Sequence, residues 1–210
     1  MKDNERETLR KKLFDKPESS QLIFIGRLTR QKKLNILIDA VTLLKEEGRL
    51  VNLLFVGDGE EKTVLQRQME KNDISDQICF YGASYDETTN YKLIASSDCC
   101  VAPGEIGLTA IHSLMYGVPV ISHSNPDKQM PEFEAIVQGF NGDLFEHNNV
   151  EDLKSKIKNV LDFKKTRSRM EIKKNCYQIV DQYYNPIYQV QVIDNVFNQK
   201  PEKFTKEENK

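Results

Sequence analysis

Arg27 and Lys32 stand in the stretch Gly26-Arg27-Leu28-Thr29-Arg30-Gln31-Lys32-Lys33, directly after an apolar run at 21–25. Cations at the end of a buried strand, just before a helix, are placed to meet a phosphate group. Arg27 offers a planar fork of donors suited to phosphate oxygens, and Lys32 a mobile point charge. The same residues could also form a plain solvated basic turn. A second stretch, Pro103-Gly104-Glu105-Ile106-Gly107-Leu108-Thr109, leads from an apolar run into a helical pattern. A glycine-rich turn there leaves the backbone N–H groups of Gly107, Leu108 and Thr109 free, and with the positive end of the helix they form an anion site. Glu105 and His112 are seven residues apart, so they fall on one side of that helix. Leu108, Ile111 and Met115 fall on its apolar stripe and read as core.

A third loop, Ser122-His123-Ser124-Asn125, also ends a predicted strand. His123 could face a ligand there or be an ordinary loop histidine. Glu132 follows Pro131 and could cap the next helix, and His147 is expected to be exposed. No histidine stands near a serine or cysteine at suggestive spacing, which leaves nucleophilic hydrolase chemistry unsupported. Cys79, Cys99, Cys100 and Cys176 make no CxxC pair. They read as reduced core thiols, not as a zinc site or disulfide framework.

The elements that must position these residues follow from periodicity. Strands are predicted at 21–25, 51–56, 77–81, 98–102 and 118–122, with further strand-like runs at 133–137 and 142–145. Between them lie helical patterns starting at Leu34 and at 60–72, 88–96, 108–116 and 150–163. Short, nearly all-apolar strands alternating with helices, most ending in Gly or Pro, indicate an α/β Rossmann-like doubly wound parallel sheet in a single domain. In such sheets ligands bind beyond the carboxyl ends of the strands, where all three loops lie. Residues 1–20 read as a charged linker helix, 21–165 as the domain, 166–199 as C-terminal helices broken near Asn185-Pro186, and 200–210 as a polar tail. Tyr177, Tyr183, Tyr184 and Tyr188 are more aromatics than the late helices need to cover their own domain.

Composition narrows the class. With 39% hydrophobic and 30% charged residues in 210, the chain can bury a core and is not disordered. A net charge of −2 provides no overall basic field for nucleic acid, so any phosphate site must be local. No apolar run approaches the roughly 18–20 residues needed to cross a bilayer, and no secretion signal is present.

The motif set resembles the carboxyl-terminal, donor-binding domain of the retaining group 1 GT-B glycosyltransferases, from about Leu22 to Phe163. It includes Gly26, Arg27 and Lys32; the Val56-Gly57-Asp58-Gly59 turn; and Phe80-Tyr81-Gly82. It continues through the Gly107-Leu108 helix to Gly117-x-Pro119-Val120, then Pro131-Glu132, then Gly139-Phe140-Asn141-Gly142. The resemblance implies that Arg27 and Lys32 hold a donor diphosphate and that the amides of Gly107, Leu108 and Thr109 hold its distal phosphate. Ala83 and Ser84 would meet the nucleotide base through backbone atoms, and Gly26, Gly57, Gly82 and Ile106 would complete the donor pocket. It implies a nucleotide-diphosphate sugar, UDP-sugar foremost, as donor substrate, with neither cofactor nor metal, and with Arg27, Lys32 and Glu105 as the catalytic set. The chain has no Asp-x-Asp pair to hold a divalent ion between phosphates.

One departure stands out. The family usually carries a Glu-x7-Glu pair, the first glutamate for the donor sugar and the second for the ribose. Those places here hold Gly104 and His112, and Glu105 is one position late. We expect Glu105 to reach the sugar from a shifted turn and His112 to take the ribose or phosphate role; otherwise they are a solvent-facing turn residue and an ordinary helix histidine.

A GT-B enzyme has two facing domains and this length suits one. The expectation is therefore a fragment, or one subunit of a split enzyme, that transfers little alone. Its partner would be an amino-terminal GT-B domain in the same or another chain, met through the late helix. It would lie in the cytoplasm, or at the inner face of the membrane, with any peripheral membrane contact made through the other domain. A non-catalytic nucleotide-sugar-binding or interaction subunit is the alternative. An epimerase of the same fold would need acid/base carboxylates in the cleft, where they look sparse.

Overall fold

The computed structural model describes residues 1–198; the tail expected at 200–210 lies outside the described residues. Six strands form one parallel sheet: β1 (Ser20–Ile25), β2 (Val51–Val56), β3 (Ile78–Gly82), β4 (Cys99–Ala102), β5 (Val120–His123) and β6 (Gly142–Phe145). Every residue of β2 and β4 is buried, as strands covered on both faces require. Helix α1 spans Asp3–Leu13, α2 Leu34–Glu46, α3 Lys62–Lys71, α4 Glu87–Ser96 and α5 Thr109–Met115. The rest are α6 (Val150–Leu161), α7 (Phe163–Thr166), α8 (Arg169–Tyr183) and α9 (Pro186–Phe197). Helix α2 buries Leu34, Leu37, Ile38, Val41 and Leu44, one stripe at 3.6-residue spacing, and packs on α3 and α6. Helix α1 packs on α4, and α5 on α8.

The strand order is β3-β2-β1-β4-β5-β6. The chain runs outward from β1 through β2 and β3, then returns to lay β4 on the other side of β1. The loops after β1 and β4 therefore diverge and leave a crevice between them, the switch point where doubly wound sheets bind ligands. It is the place to which sequence reasoning assigns Arg27, Lys32 and the 103–109 turn.

Three expectations need correction. Residues 133–137 form no strand. They lie in a short 3₁₀ turn, Pro131–Ala135, and the loop after it. Pro131 opens that turn, and the Asn141 side chain takes over the pairing of the run. Its Oδ1 accepts from the Val137 N–H at 2.8 Å, and its Nδ2 donates to the Ala135 carbonyl at 2.9 Å.

The charged helix α1 is docked and not a free linker. Arg10 is only 6% exposed and donates to Asp98 Oδ2 at 2.7 Å and to the Ser96 carbonyl at 2.8 Å. Arg6 reaches the other oxygen of Asp98, and Phe14 is buried just beyond the helix. The third correction concerns α5: of its supposed apolar stripe only Ile111 is buried, while Leu108 and Met115 are exposed.

The break between the late helices falls at Asn185-Pro186, where the Asn185 side chain caps the Tyr188 N–H and Pro186 opens α9. Helix α8 buries Cys176 and Ile179; α9 buries nothing, and Ile187, Val190, Ile193, Val196 and Phe197 stand exposed. Cys99, Cys100 and Cys176 are buried free thiols, and burial pushes Cys100 up to about 11 and Cys176 to about 12.

Candidate functional site

The loops at the carboxyl ends of β1, β2 and β3 lie almost backbone on backbone. A Cβ placed on Gly57 would sit 1.9 Å from the Gly26 carbonyl oxygen, and Gly57 has φ +147°, so only glycine fits this turn. The Gly57 N–H donates to Gly82 O, and the Gly26 N–H to Val56 O, both at 2.9 Å. This stacking forms one wall of a cleft of about 560 Å³. Gly26, Arg27, Gly57, Ala83, Ser84, Thr109 and His112 all line it. The exposed guanidinium of Arg27 makes no hydrogen bond or ion pair among the described residues. His112, also exposed, likewise keeps its ring nitrogens unengaged.

Across the crevice, the Lys32 ammonium donates to the Glu105 carbonyl oxygen at 2.8 Å, and the Gly104 N–H to Lys32 O at 3.0 Å. Burial lowers the pKa of Lys32; the Glu105 carboxylate pulls it back up and the Arg27 guanidinium adds to the lowering. The three charges thus feel one another. Beyond Glu105 the turn has a sharp division. The Ile106 N–H is held by Gln129 Oε1 at 2.8 Å, whereas the amides of Gly107, Leu108 and Thr109 have no acceptor among the described residues. Helix α5 has only seven residues, so its dipole adds little and the three open N–H groups are what an anion would meet.

The remaining assignments scatter. Lys32, Gly82, Ile106, Gly107 and Leu108 flank the cleft without lining it, and Ile106 is buried. Glu105 points into a neighbouring depression of about 380 Å³, with Gln31, Lys33, His123, Asp127, Gln129 and His147. A Cβ on Gly104 would meet Gln31 O at 2.1 Å and Lys32 Cα at 2.7 Å. No side chain can stand there, so a glutamate at the family's usual first place is sterically barred.

His147, expected to be exposed, is half-buried, and His123 is 1% exposed. Their rings lie 4.5 Å apart, the Lys33 ammonium sits 2.8 Å from His147 Nε2, and the Asn125 N–H donates to His123 Nδ1. Burial, His147 and Lys33 lower His123 to about 4, against a weaker backbone hydrogen bond at Lys128. Burial, Lys33 and Lys128 lower His147 as well. Both rings are neutral near pH 7.

Sequence reasoning missed Asp58, Tyr85, Glu87, Asn90 and Tyr116, which also line the cleft. Asp58 stands within a quoted motif and could have been given a role; the others lie in α4, in the loop before it or just after α5, and carry no pattern of their own. The cleft is thus less poor in carboxylates than expected. Glu87 accepts from the Tyr116 hydroxyl at 3.3 Å and Asp58 pairs with Lys62 at 3.9 Å. Among the described residues no group of three or more His, Cys, Asp or Glu is arranged to hold a metal ion, and no helix is long and apolar enough to cross a membrane.

Residues 5–177 match the family described as glycosyl transferases group 1. The chain belongs to that family. A curated relative, the alpha-monoglucosyldiacylglycerol synthase of Streptococcus pneumoniae, is 32% identical over 129 residues, 60% of this chain and 29% of that protein. Among solved structures, Anabaena HepE in complex with UDP superposes with a TM-score of 0.74 at 21% identity, covering 95% of this chain and 54% of that one. The C-terminal domain of the group 1 glycosyltransferase LpcC from Francisella tularensis superposes with a TM-score of 0.72 at 21% identity, covering 89% and 95%. These likenesses establish the Rossmann-like fold of one GT-B half. The chain spans less than a third of the length of the curated relative.

Proposed function

We propose that this group 1 glycosyltransferase chain is the donor-binding half of an enzyme that moves a sugar from a nucleotide-diphosphate sugar to an acceptor, in polysaccharide or glycoconjugate synthesis. The observation that carries the reading is the meeting, across the β1/β4 crevice, of an unpaired guanidinium and a partly buried ammonium with a turn of three unengaged amides. Such a set suits a diphosphate: a bidentate fork, a point charge and a curved row of N–H donors. Arg27 and Lys32 would then stabilise the charge growing on the departing nucleoside diphosphate, a task for pre-placed cations that needs no divalent ion. Ala83 and Ser84 would border the base, His112 the ribose or the proximal phosphate, and Glu105 the sugar. UDP is the favoured nucleotide, because several solved structures of this fold, Anabaena HepE among them, are UDP complexes. The uncovered apolar residues of α9 support a seat for an acceptor-binding domain, in the same chain or a partner, without which transfer is slight.

Calorimetric titration of the 210-residue chain with UDP-, GDP- and ADP-sugars tests the reading. One nucleotide class should bind at micromolar to millimolar affinity with no added divalent ion. Absence of binding by all three up to millimolar concentration would remove the donor assignment.

A further inference from the structure

Gln129 makes more connections at this site than any residue singled out from the sequence. It lies in the loop after β5, between the Pro126–Lys128 turn and Met130. Its Oε1 accepts from the Ile106 N–H at 2.8 Å. Its Nε2 donates to Ser122 Oγ at 2.7 Å and to the His123 carbonyl at 3.0 Å. Ser122 Oγ in turn donates to the Ala102 carbonyl at 2.8 Å, at the end of β4. One amide thus ties the end of β5, the end of β4 and the 103–109 turn together. The next residue, Met130, supplies the nearest atom over Gly107, 4.0 Å from where its Cβ would be.

The chemistry needs glutamine. The Ile106 N–H requires an acceptor, while the Ser122 hydroxyl and the His123 carbonyl are met by N–H donors. A primary amide is a neutral side chain that offers both ends at once. The bond also separates the Ile106 amide, engaged, from those of Gly107, Leu108 and Thr109, which are open. Without it, Ile106 would be a fourth unengaged donor at a turn whose glycines resist rotation little, and the row of amides would lose its fixed direction.

We propose that Gln129 is a positioning residue for the anion-binding turn: by holding the Ile106 amide against the end of β5, it presents the three following amides to the donor diphosphate. This rests on the donor-binding reading above. Pre-orientation of donors is what makes a backbone anion site effective, because the cost of ordering them is met before the ligand arrives.

The test compares the full chain with Gln129→Ala and Gln129→Glu by two measurements. Amide hydrogen exchange needs no ligand: Gln129→Ala should exchange at Ile106 at least tenfold faster, while Gln129→Glu, which keeps the acceptor, should retain protection. Calorimetry with UDP and with uridine reads the consequence. In Gln129→Ala the affinity for UDP should fall about tenfold with uridine unchanged. Unchanged exchange at Ile106, or UDP affinity in Gln129→Ala within twofold of the parent, overturns the proposal. If the parent chain binds neither UDP nor uridine, the donor reading fails, and the exchange result alone still decides whether Gln129 orders the turn.

Discussion

The two depressions at the carboxyl edge of the sheet are built from similar residue types and differ in what those residues have left to offer. In the cleft over β1–β3 the Arg27 guanidinium and the His112 ring have no partner among the described residues, and the nearby amides of Gly107–Thr109 are likewise open. In the depression over β5 and β6, Lys33 is held by His147 and by Asn148 Oδ1 at 2.5 Å, and His123 Nδ1 accepts from Asn125. Gln129 has both ends occupied. A buried polar group with partners stabilises the fold, whereas an exposed one without protein partners is satisfied by water and stays available to a ligand. On the proposed reading the first depression faces the nucleotide and diphosphate, and the second, Glu105 apart, supports it.

That contrast can be broken by single substitutions. The largest effect is expected for Arg27→Ala. Removing a charge-assisted donor should weaken UDP about 30-fold, equivalent to about 2 kcal/mol, while the melting temperature stays within about a degree. A loss of stability in place of affinity would assign Arg27 to the wrong side of the comparison.

His123 should behave in the opposite way. Its pKa in the fold is near 4, below the ordinary value of about 6.5. The unfolded chain therefore takes up a proton in this window and the folded chain does not. The neutral ring's contribution is fully present above about pH 6.5 and is lost as pH falls toward 4, a cost of about 2 kcal/mol. Denaturant unfolding at pH 7 and pH 4.5 should show this loss, and His123→Phe should reduce it; His147, also lowered, keeps part of the slope. Equal pH slopes in the two proteins would refute the role given to His123. The smallest effect belongs to His112→Ala, about a threefold loss of UDP affinity, since a single side-chain hydrogen bond contributes modestly. An unchanged dissociation constant would end the case for that residue.

Much of this organisation is legible in the sequence. The apolar runs mark all six strands, three of them ending at a glycine, and place Arg27, Lys32 and the 103–109 turn at their carboxyl ends, because a parallel sheet buried on both faces leaves few other readings. What is not legible depends on pairing across the sheet. The partner of His123 lies 24 positions later, at the end of another strand, and that of Ile106 is Gln129, in an irregular loop. The docking of α1 is hidden for the same reason. Arg6 and Arg10 look like solvent residues until Asp98, some ninety positions away, closes the network. The run at 133–137 misleads because Asn141 satisfies its backbone in place of a neighbouring strand.

The central claim is most directly tested by following backbone amide resonances of the isotope-labelled chain during titration with UDP. The account predicts the largest shifts at Gly107, Leu108 and Thr109 and along residues 26–32 and 83–84, with small changes at His123 and His147. Shifts centred on the β5 and β6 ends, with residues 107–109 and 26–32 unmoved, would contradict it.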